Sequence, residues 1–253
     1  MISLRSPREV ALMKKAGATV GYVLNHIGEY IKPGVSTWEV DKICEEMIYS
    51  RGCKPNFKGY EGFPNASCIS VNEVLVHGIP SKDIILRNGD IVTVDVGADY
   101  KGYQGDGAWT FTVGEVTDPK VLELMEVTKE ALYLGIEQVK PGNRVGDISH
   151  AIQTYVEAHG FSLPVEYTGH GIGTDMHEDP AIPNVGRPHT LELLRKDMCI
   201  CIEPMVFMGK PHCRTLSDGW TVVSRDRSWA AHYEHELHIT AEGCEILTKE
   251  EEE

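Results

Sequence analysis

Hydrophobic residues recur at helical spacing in four segments of the chain, and these segments come in two pairs. The first helix is predicted from about residue 7 to residue 30, because Ser6 can cap it and Glu9 completes a capping box. A second capping box, Ser36 with Glu39, opens the next helix, and Gly52 is placed to end it. The first pair of helices is therefore predicted both from the spacing of the hydrophobic residues and from the capping residues.

The second pair of helices repeats the plan of the first. Apolar stripes predict helices around Val121–Ile136 and Ile148–Val156, and Gly160 closes the second of them. The breaker Lys32-Pro33-Gly34 recurs as Lys140-Pro141-Gly142, and Gly52 recurs as Gly160, both with an offset of 108 residues. Helix, breaker and helix is a common arrangement, but the shared offset favours a duplicated plan over coincidence. We expect one domain over 1–253 with pseudo-symmetric halves at roughly 1–114 and 115–253.

Strand signals follow each helix pair. Apolar and β-branched residues mark strands at Asp90–Gly97 and Ala108–Val113 in the first half, and at Met198–Ile202 and Tyr233–Thr240 in the second. Helices followed by strands in each half predict an α+β fold, in which the two strand sets could join into one sheet.

Composition narrows the functional classes. The 253 residues are 42% hydrophobic and 25% charged, with a formal net charge of −14. This acidic balance argues against independent nucleic-acid binding, which needs clustered Lys and Arg. The sequence contains no apolar run long enough to span a membrane and no N-terminal apolar stretch typical of a signal peptide. Seven cysteines without a CxxC pair indicate reduced thiols in a cytoplasmic enzyme.

Two aspartates stand inside the predicted strands of the first half. If Asp99-Tyr100-Lys101-Gly102 is a hairpin turn, Asp95 faces Asp106 directly across the strand pair. Like charges in that position are destabilising unless they share a proton or a cation. A bulge at Gly105 or Gly107 would shift the register. The pair is thus compatible with a metal site, with an acid–base dyad, or with one aspartate that caps a loop.

Further polar groups accumulate in the second half. His170 lies within Gly169-His170-Gly171-Ile172-Gly173, where glycines are expected to let the backbone approach a buried ligand. His177 follows, Glu203 ends an apolar strand, and Glu234 begins the last one. Each alone is compatible with an ordinary polar group at a strand end. Four carboxylates and one histidine at strand ends together favour hard divalent cations.

The assembled motifs resemble type I methionine aminopeptidases, single-domain metallopeptidases of the pita-bread fold, over nearly the whole chain. That fold has two pseudo-symmetric halves, each with helices outside a shared antiparallel sheet. The matching segments are Asn72-Glu73, His77-Gly78-Ile79-Pro80, Val92-Thr93-Val94-Asp95-Val96-Gly97, Gly105-Asp106-Gly107-Ala108, Gly169-His170-Gly171-Ile172-Gly173, His177-Glu178, Ile202-Glu203-Pro204, Asp218-Gly219-Trp220 and Tyr233-Glu234-His235.

The resemblance implies two divalent metal ions, chosen from Co, Mn, Fe, Zn or Ni. Asp106 and Glu234 would bridge the ions, Asp95 would chelate one, and His170 with Glu203 would hold the other. It is also compatible with one monovalent cation bound by backbone carbonyls near Asn72 and Val74. These assignments come from the resemblance and not from spacing.

The resemblance also implies catalytic and substrate-binding roles. A metal-bridging hydroxide would attack the first peptide bond, while His177 binds the carbonyl oxygen and His77 contacts the scissile nitrogen. Glu203 would also carry a proton. The pocket for the methionine side chain would contain Tyr60, Phe63, Cys68, Met176 and Trp220, with Phe57 nearby. Without the resemblance, these aromatic residues are typical of an ordinary core. Phe57 and Met176 depart from the side chains common in the family, which leaves the pocket shape open.

The predicted function is removal of the N-terminal methionine from nascent proteins with a small second residue. Nascent polypeptide N-termini are the implied partners, a transient ribosome contact is compatible with this, and a cytoplasmic monomer without membrane attachment is expected. The first alternative is an X-Pro aminopeptidase or prolidase, since these enzymes share the five ligands but usually carry an extra N-terminal domain. The second is a non-catalytic pita-bread binding module, although such modules lose metal ligands.

Overall fold

Four α-helices occur in the structure, a computed structural model that describes residues 2–250. Their bounds are α1 Pro7–Ile27, α2 Thr37–Ser50, α3 Pro119–Glu137 and α4 Val145–Ala158. Both predicted capping boxes are present, at Ser6 with Glu9 and at Ser36 with Glu39. The last residues of the predicted first helix form a separate 3₁₀ turn, Gly28–Tyr30. Local capping chemistry therefore sets the starts of α1 and α2 as predicted.

Fourteen strands lie within residues 2–250, and all their pairings are antiparallel. In chain order the strands are β1 Lys54–Pro55, β2 Ser67–Val71, β3 Val74–Val76, β4 Ile91–Tyr100, β5 Tyr103–Thr112, β6 Thr168–Gly171, β7 Glu178–Pro183, β8 Cys199–Ile202, β9 Met205–Phe207, β10 Cys213–Thr215, β11 Val222–Ser224, β12 Ala230–His232, β13 His235–Ile239 and β14 Cys244–Ile246. They form a four-stranded, a three-stranded, a two-stranded and a five-stranded sheet. The predicted α+β class is confirmed.

The hairpin of β4 and β5 has a different register from the predicted one. Tyr100 pairs with Tyr103, so the tight turn is centred on Lys101 and Gly102, which both have positive φ. Asp95 consequently pairs with Ala108, and Asp106 pairs with Gly97. The predicted direct pairing of Asp95 with Asp106 was wrong, because the register is shifted by two residues. Because side chains alternate along a strand, the two aspartates still lie on one face as diagonal neighbours.

The two larger sheets meet where β5 passes the segment before β13. The backbone N–H of Glu234 donates to the carbonyl of Ala108 at 2.9 Å, and the hydroxyl of Tyr233 donates to the carbonyl of Thr110 at 3.1 Å. The five-stranded sheet runs in the order β14-β13-β8-β6-β7. Strands from both halves of the chain therefore approach one another at this junction.

The helices cover the sheets and bury the core. Helix α1 packs on β5 so closely that a Cβ on Gly105 would stand 2.6 Å from the backbone of Ala16. One apolar cluster lies under α1 and α2, and another lies under α3 and α4. Among residues 2–250, no helix combines the length and apolar character that a bilayer crossing requires. The boundary of the halves near residue 114 stays a prediction.

Candidate metal centre and adjoining cavity

The five predicted metal ligands come from five different strands or strand ends. Asp95 lies in β4 and Asp106 in β5, while His170 lies in β6. Glu203 directly follows β8, and Glu234 directly precedes β13. The junction of the two large sheets therefore gathers residues that lie far apart in the sequence.

Four of the five predicted ligands lie within a few ångströms of one another. Nε2 of His170 is 3.7 Å from Oδ2 of Asp106 and 3.5 Å from Oε1 of Glu203. Ligand atoms of Asp106, His170, Cys201 and Glu234 all lie within 4.8 Å of one another. Nδ1 of His170 faces the carbonyl of Gly171 at 2.9 Å, which leaves Nε2 as the nitrogen for a metal.

Asp95 is the fifth predicted ligand. It lines the same cavity but belongs to neither of the tight groups of ligand atoms found within residues 2–250. Its Oδ1 is buried without a hydrogen-bond partner among the described residues. The structure thus brings Asp95 into the same cavity as the other four, where its charge acts on Asp106 and Glu234.

Burial and mutual repulsion dominate the electrostatics of this cluster. Burial raises the pKa of Asp106 well above its ordinary value, and the neighbouring Glu234 and Asp95 raise it further. Burial is also the main cause of the raised pKa of Glu234 and of Glu203. The pKa of His170 falls to about 3, first through burial and then through His177. Carboxylates in this setting need either protons or cations to remain buried.

The donor set fits divalent cations. Oδ1 of Asp106 and Oε1 of Glu234 have no hydrogen-bond partner in the described part of the chain, although both atoms are buried. Carboxylate oxygens and a neutral imidazole are the donors that Mn, Fe, Co, Ni and Zn accept in proteins. Asp95, Asp106, His170, Glu203 and Glu234 could therefore hold such ions.

The cluster lies at one end of a cavity of about 290 Å³. All thirteen residues predicted for the site line this cavity: Phe57, Tyr60, Phe63, Cys68, His77, Asp95, Asp106, His170, Met176, His177, Glu203, Trp220 and Glu234. One space therefore holds both the polar and the apolar part of the predicted site.

The other end of the cavity is apolar. Phe57, Phe63, Cys68 and Met176 form one buried cluster, against which Trp220 packs. The Trp220 ring meets Phe63 edge-on, with centroids 5.1 Å apart. The aromatic and sulfur-bearing walls suit an unbranched apolar side chain, such as that of methionine.

Two histidines face the cavity between its two ends. The hydroxyl of Tyr60 lies 2.9 Å from Nδ1 of His177, so that Nε2 of His177 remains available. His77 has a positive φ of 59° and stacks edge-on to Trp220 at 6.1 Å. Burial, and secondarily His177, lowers the pKa of His77 to about 4, so that its imidazole is neutral at pH 7.

The glycines around His170 have a packing role that the sequence did not predict. A Cβ on Gly169 would meet the carbonyl of Cys201 at 2.3 Å, and one on Gly171 would meet the carbonyl of Asp179 at 2.2 Å. These glycines allow close approach of neighbouring strands, while the expected approach to a ligand stays a prediction. They orient His170 by letting β6 pack between β7 and β8.

Sequence reasoning missed three buried residues near the cluster. Cys201 belongs to the group around Asp106, and His232 forms a second group with Glu203 and Glu234. Glu236 is fully buried, and burial raises its pKa well above the ordinary value. For His232 and Glu236 the sequence did contain a signal, because His232, Glu234 and Glu236 are polar residues at every second position of one extended segment.

The predicted monovalent cation site stays a prediction. Asn72 has a positive φ of 52°, and its carbonyl accepts a hydrogen bond from the N–H of Ala230 at 2.9 Å.

Comparison with known proteins places this geometry in context. Residues 11–241 match the model of metallopeptidase family M24. Methionine aminopeptidase 1 from Bacillus subtilis is 49% identical over 249 residues, which cover 98% of this chain and 100% of the relative. The crystal structure of methionine aminopeptidase from Thermotoga maritima has a TM-score of 0.97 at 48% identity, covering 98% of this chain and 100% of the other.

A prolidase from Pyrococcus furiosus has a TM-score of 0.80 at 25% identity, covering 98% of this chain and 66% of the prolidase. The structural neighbours bear out the predicted fold class. By TM-score and sequence identity, this chain is much more similar to the methionine aminopeptidase than to the prolidase.

Proposed function

Since the chain belongs to metallopeptidase family M24, we propose that it removes N-terminal methionine from polypeptides whose second residue is small. Relatives and solved structures named methionine aminopeptidase match nearly its whole length, which supports this activity. The observation that carries the proposal is the single cavity with an apolar end and an acidic end. A methionine side chain in the apolar end would bring the first peptide bond next to the acidic cluster.

We propose that the acidic end holds two divalent ions. Asp95, Asp106, His170, Glu203 and Glu234 would hold them. When bound, such ions activate water and polarise a peptide carbonyl. The support lies in the unpartnered oxygens of Asp95, Asp106 and Glu234 within the described residues, which the cations would neutralise.

The histidines orient the peptide bond. The Tyr60 hydroxyl donates to Nδ1 of His177, and Nε2–H of His177 then donates to the carbonyl oxygen as negative charge develops there. His77 is neutral and contacts the scissile nitrogen. Glu203, which lines the cavity, carries a proton to the leaving amine.

The activity is tested with purified protein, a series of divalent metals and two peptides. We expect release of methionine from Met-Ala-Ser and no cleavage of an X-Pro peptide. Replacing Asp106 or Glu234 by alanine should abolish the release. As a control, Glu46→Gln changes an exposed carboxylate on α2 that does not line the cavity, and it should leave the release intact.

Two outcomes would overturn the proposal. Cleavage of X-Pro peptides without methionine release would identify an X-Pro peptidase. A protein that binds no divalent ion and cleaves no peptide with any metal would be a binding module.

We further propose that the enzyme acts in the cytoplasm as a monomer on nascent chains, with at most a transient ribosome contact. All seven cysteines are free, which is compatible with a reducing compartment.

A further inference from the structure

His232 is buried beside the metal cluster and is not one of the five proposed ligands. It is 1% exposed, at the end of β12. Neither ring nitrogen has a hydrogen-bond partner among residues 2–250. Because buried polar groups are nearly always paired, two unpartnered nitrogens on one imidazole require an explanation.

The position of Nε2 explains why that nitrogen has no hydrogen-bond partner. This nitrogen is 3.6 Å from Oε2 of Glu203 and 3.8 Å from Oε2 of Glu234. Both distances exceed the range of about 2.7–3.2 Å for a hydrogen bond between nitrogen and oxygen. Ligands that lie about 2.0–2.2 Å from one ion stand roughly 3–4 Å apart around it, which agrees with the observed separations.

The backbone holds this imidazole in place. The N–H of His232 donates to the hydroxyl of Thr110 at 3.1 Å, and that hydroxyl donates to the carbonyl of His232 at 2.8 Å. His232 also pairs with Met205 across β12 and β9. The ring is therefore presented to Glu203 and Glu234 by a rigid support, as a metal ligand requires.

We propose that His232 is a metal ligand whose Nε2 binds the divalent ion held by Glu203 and Glu234, adding a second imidazole beside His170. The inference rests on the proposed metal centre. Imidazole favours Co, Ni, Zn and Fe over Mn, whereas carboxylates alone suit Mn and Mg. His232 therefore biases the centre towards the later transition metals.

The test compares metal affinities of the metal-free full chain and two variants. Co²⁺ and Mn²⁺ are titrated separately into wild type, His232→Gln and His235→Gln, with heat release as the readout. We expect His232→Gln to weaken Co²⁺ binding by more than about 100-fold. Mutation of a residue that only hydrogen-bonds to a metal ligand already lowers metal affinity by about 10–100-fold. The loss for Mn²⁺ should be smaller, and the visible spectrum of bound Co²⁺ should change.

His235→Gln is the matched control. His235 is also a buried imidazole, but its Nδ1 lies 2.7 Å from the hydroxyl of Thr248, away from the cavity. Its replacement should leave both the Co²⁺ affinity and the Co²⁺ spectrum unchanged.

X-ray absorption on wild type with one equivalent of Co²⁺ tests the inference without any variant. Two imidazole nitrogens per cobalt support it, whereas one overturns it. Unchanged affinity and spectrum in His232→Gln, with a wild type that binds cobalt and releases methionine, would overturn this inference alone. A wild type that binds neither metal would overturn the proposed centre as well.

Discussion

The buried carboxylate of Asp41 and the buried carboxylates at the sheet junction differ in the hydrogen-bond donors that surround them. Asp41, in α2, is fully buried and accepts hydrogen bonds at 2.8–3.0 Å from the Asn65 amide, the Ala66 N–H and the N–H and hydroxyl of Ser67. At the sheet junction, Asp106 and Glu234 are as deeply buried, yet each keeps an oxygen without a partner among the described residues.

The difference separates a structural carboxylate from a functional one. Asp41 ties the start of β2 to α2, because its charge is satisfied by donors from the protein. The junction carboxylates have other carboxylates as neighbours, so their charge is balanced only when something else binds. Burial alone therefore does not identify a site, whereas several buried carboxylates that lack donors and repel one another indicate one.

The largest expected effect comes from Glu234→Gln. Loss of this proposed metal ligand should lower kcat/KM for Met-Ala-Ser by at least about 10³-fold, more than a single stabilising donor contributes. In chelator, the same variant should melt no lower than wild type, because one of several repelling groups is removed. A lower melting temperature in chelator would show that Glu234 supports the fold in the way Asp41 does.

Asp41→Ala should have the reverse profile. It leaves four buried donor groups without their acceptor, so we expect the free energy of unfolding to fall by about 3 kcal/mol. The affinity for Co²⁺, measured by titration on the folded variant, should stay unchanged. Weaker metal binding with unchanged stability would break the comparison.

Metal removal should make stability depend on pH. Burial raises the pKa of Asp106, Glu203 and Glu234 in the folded state, so the metal-free fold binds more protons than the unfolded chain above about pH 4. Its stability should therefore fall as the pH rises from about 4 towards these raised values.

Co²⁺ replaces the protons, so a fixed Co²⁺ concentration should stabilise the fold more at pH 7.5 than at pH 5. At 100 times the dissociation constant measured at pH 7.5, the stabilisation at that pH should be about 2.7 kcal/mol. Calorimetric melting with chelator and with Co²⁺ at both pH values measures this. Equal stabilisation at the two pH values would contradict the account.

Tyr60→Phe should have the smallest effect. It removes the hydroxyl that contacts Nδ1 of His177 but keeps the aromatic wall of the cavity. We expect kcat/KM to fall about three- to tenfold, the equivalent of one hydrogen bond. Metal affinity should not change, and Tyr49→Phe, at an exposed position on α2, serves as the control.

Much of the site could be predicted because its residues are unusual where they stand. An aspartate between Val94 and Val96, or a glutamate after Ile202, is conspicuous in an apolar strand. All thirteen predicted residues line one cavity, while their catalytic roles stay predictions. Asp41 was passed over, since a charge in an amphipathic helix is typical of the surface. His232 was missed because a single histidine two residues before Glu234 is not unusual by itself.

The sequence alone determined the four helices, the starts of α1 and α2, and the α+β class, because capping and periodicity act between residues three to four positions apart. Only the tertiary structure decided the hairpin register, in which Asp106 pairs with Gly97, since a turn at Lys101 and Gly102 competes with one a residue earlier. It also decided which buried carboxylates have donors. The donors to Asp41 lie in β2 and just before it, and the ligand groups beside Asp106 belong to residues 170, 201 and 234 of the other half. The surroundings of both carboxylates therefore depend on long-range packing.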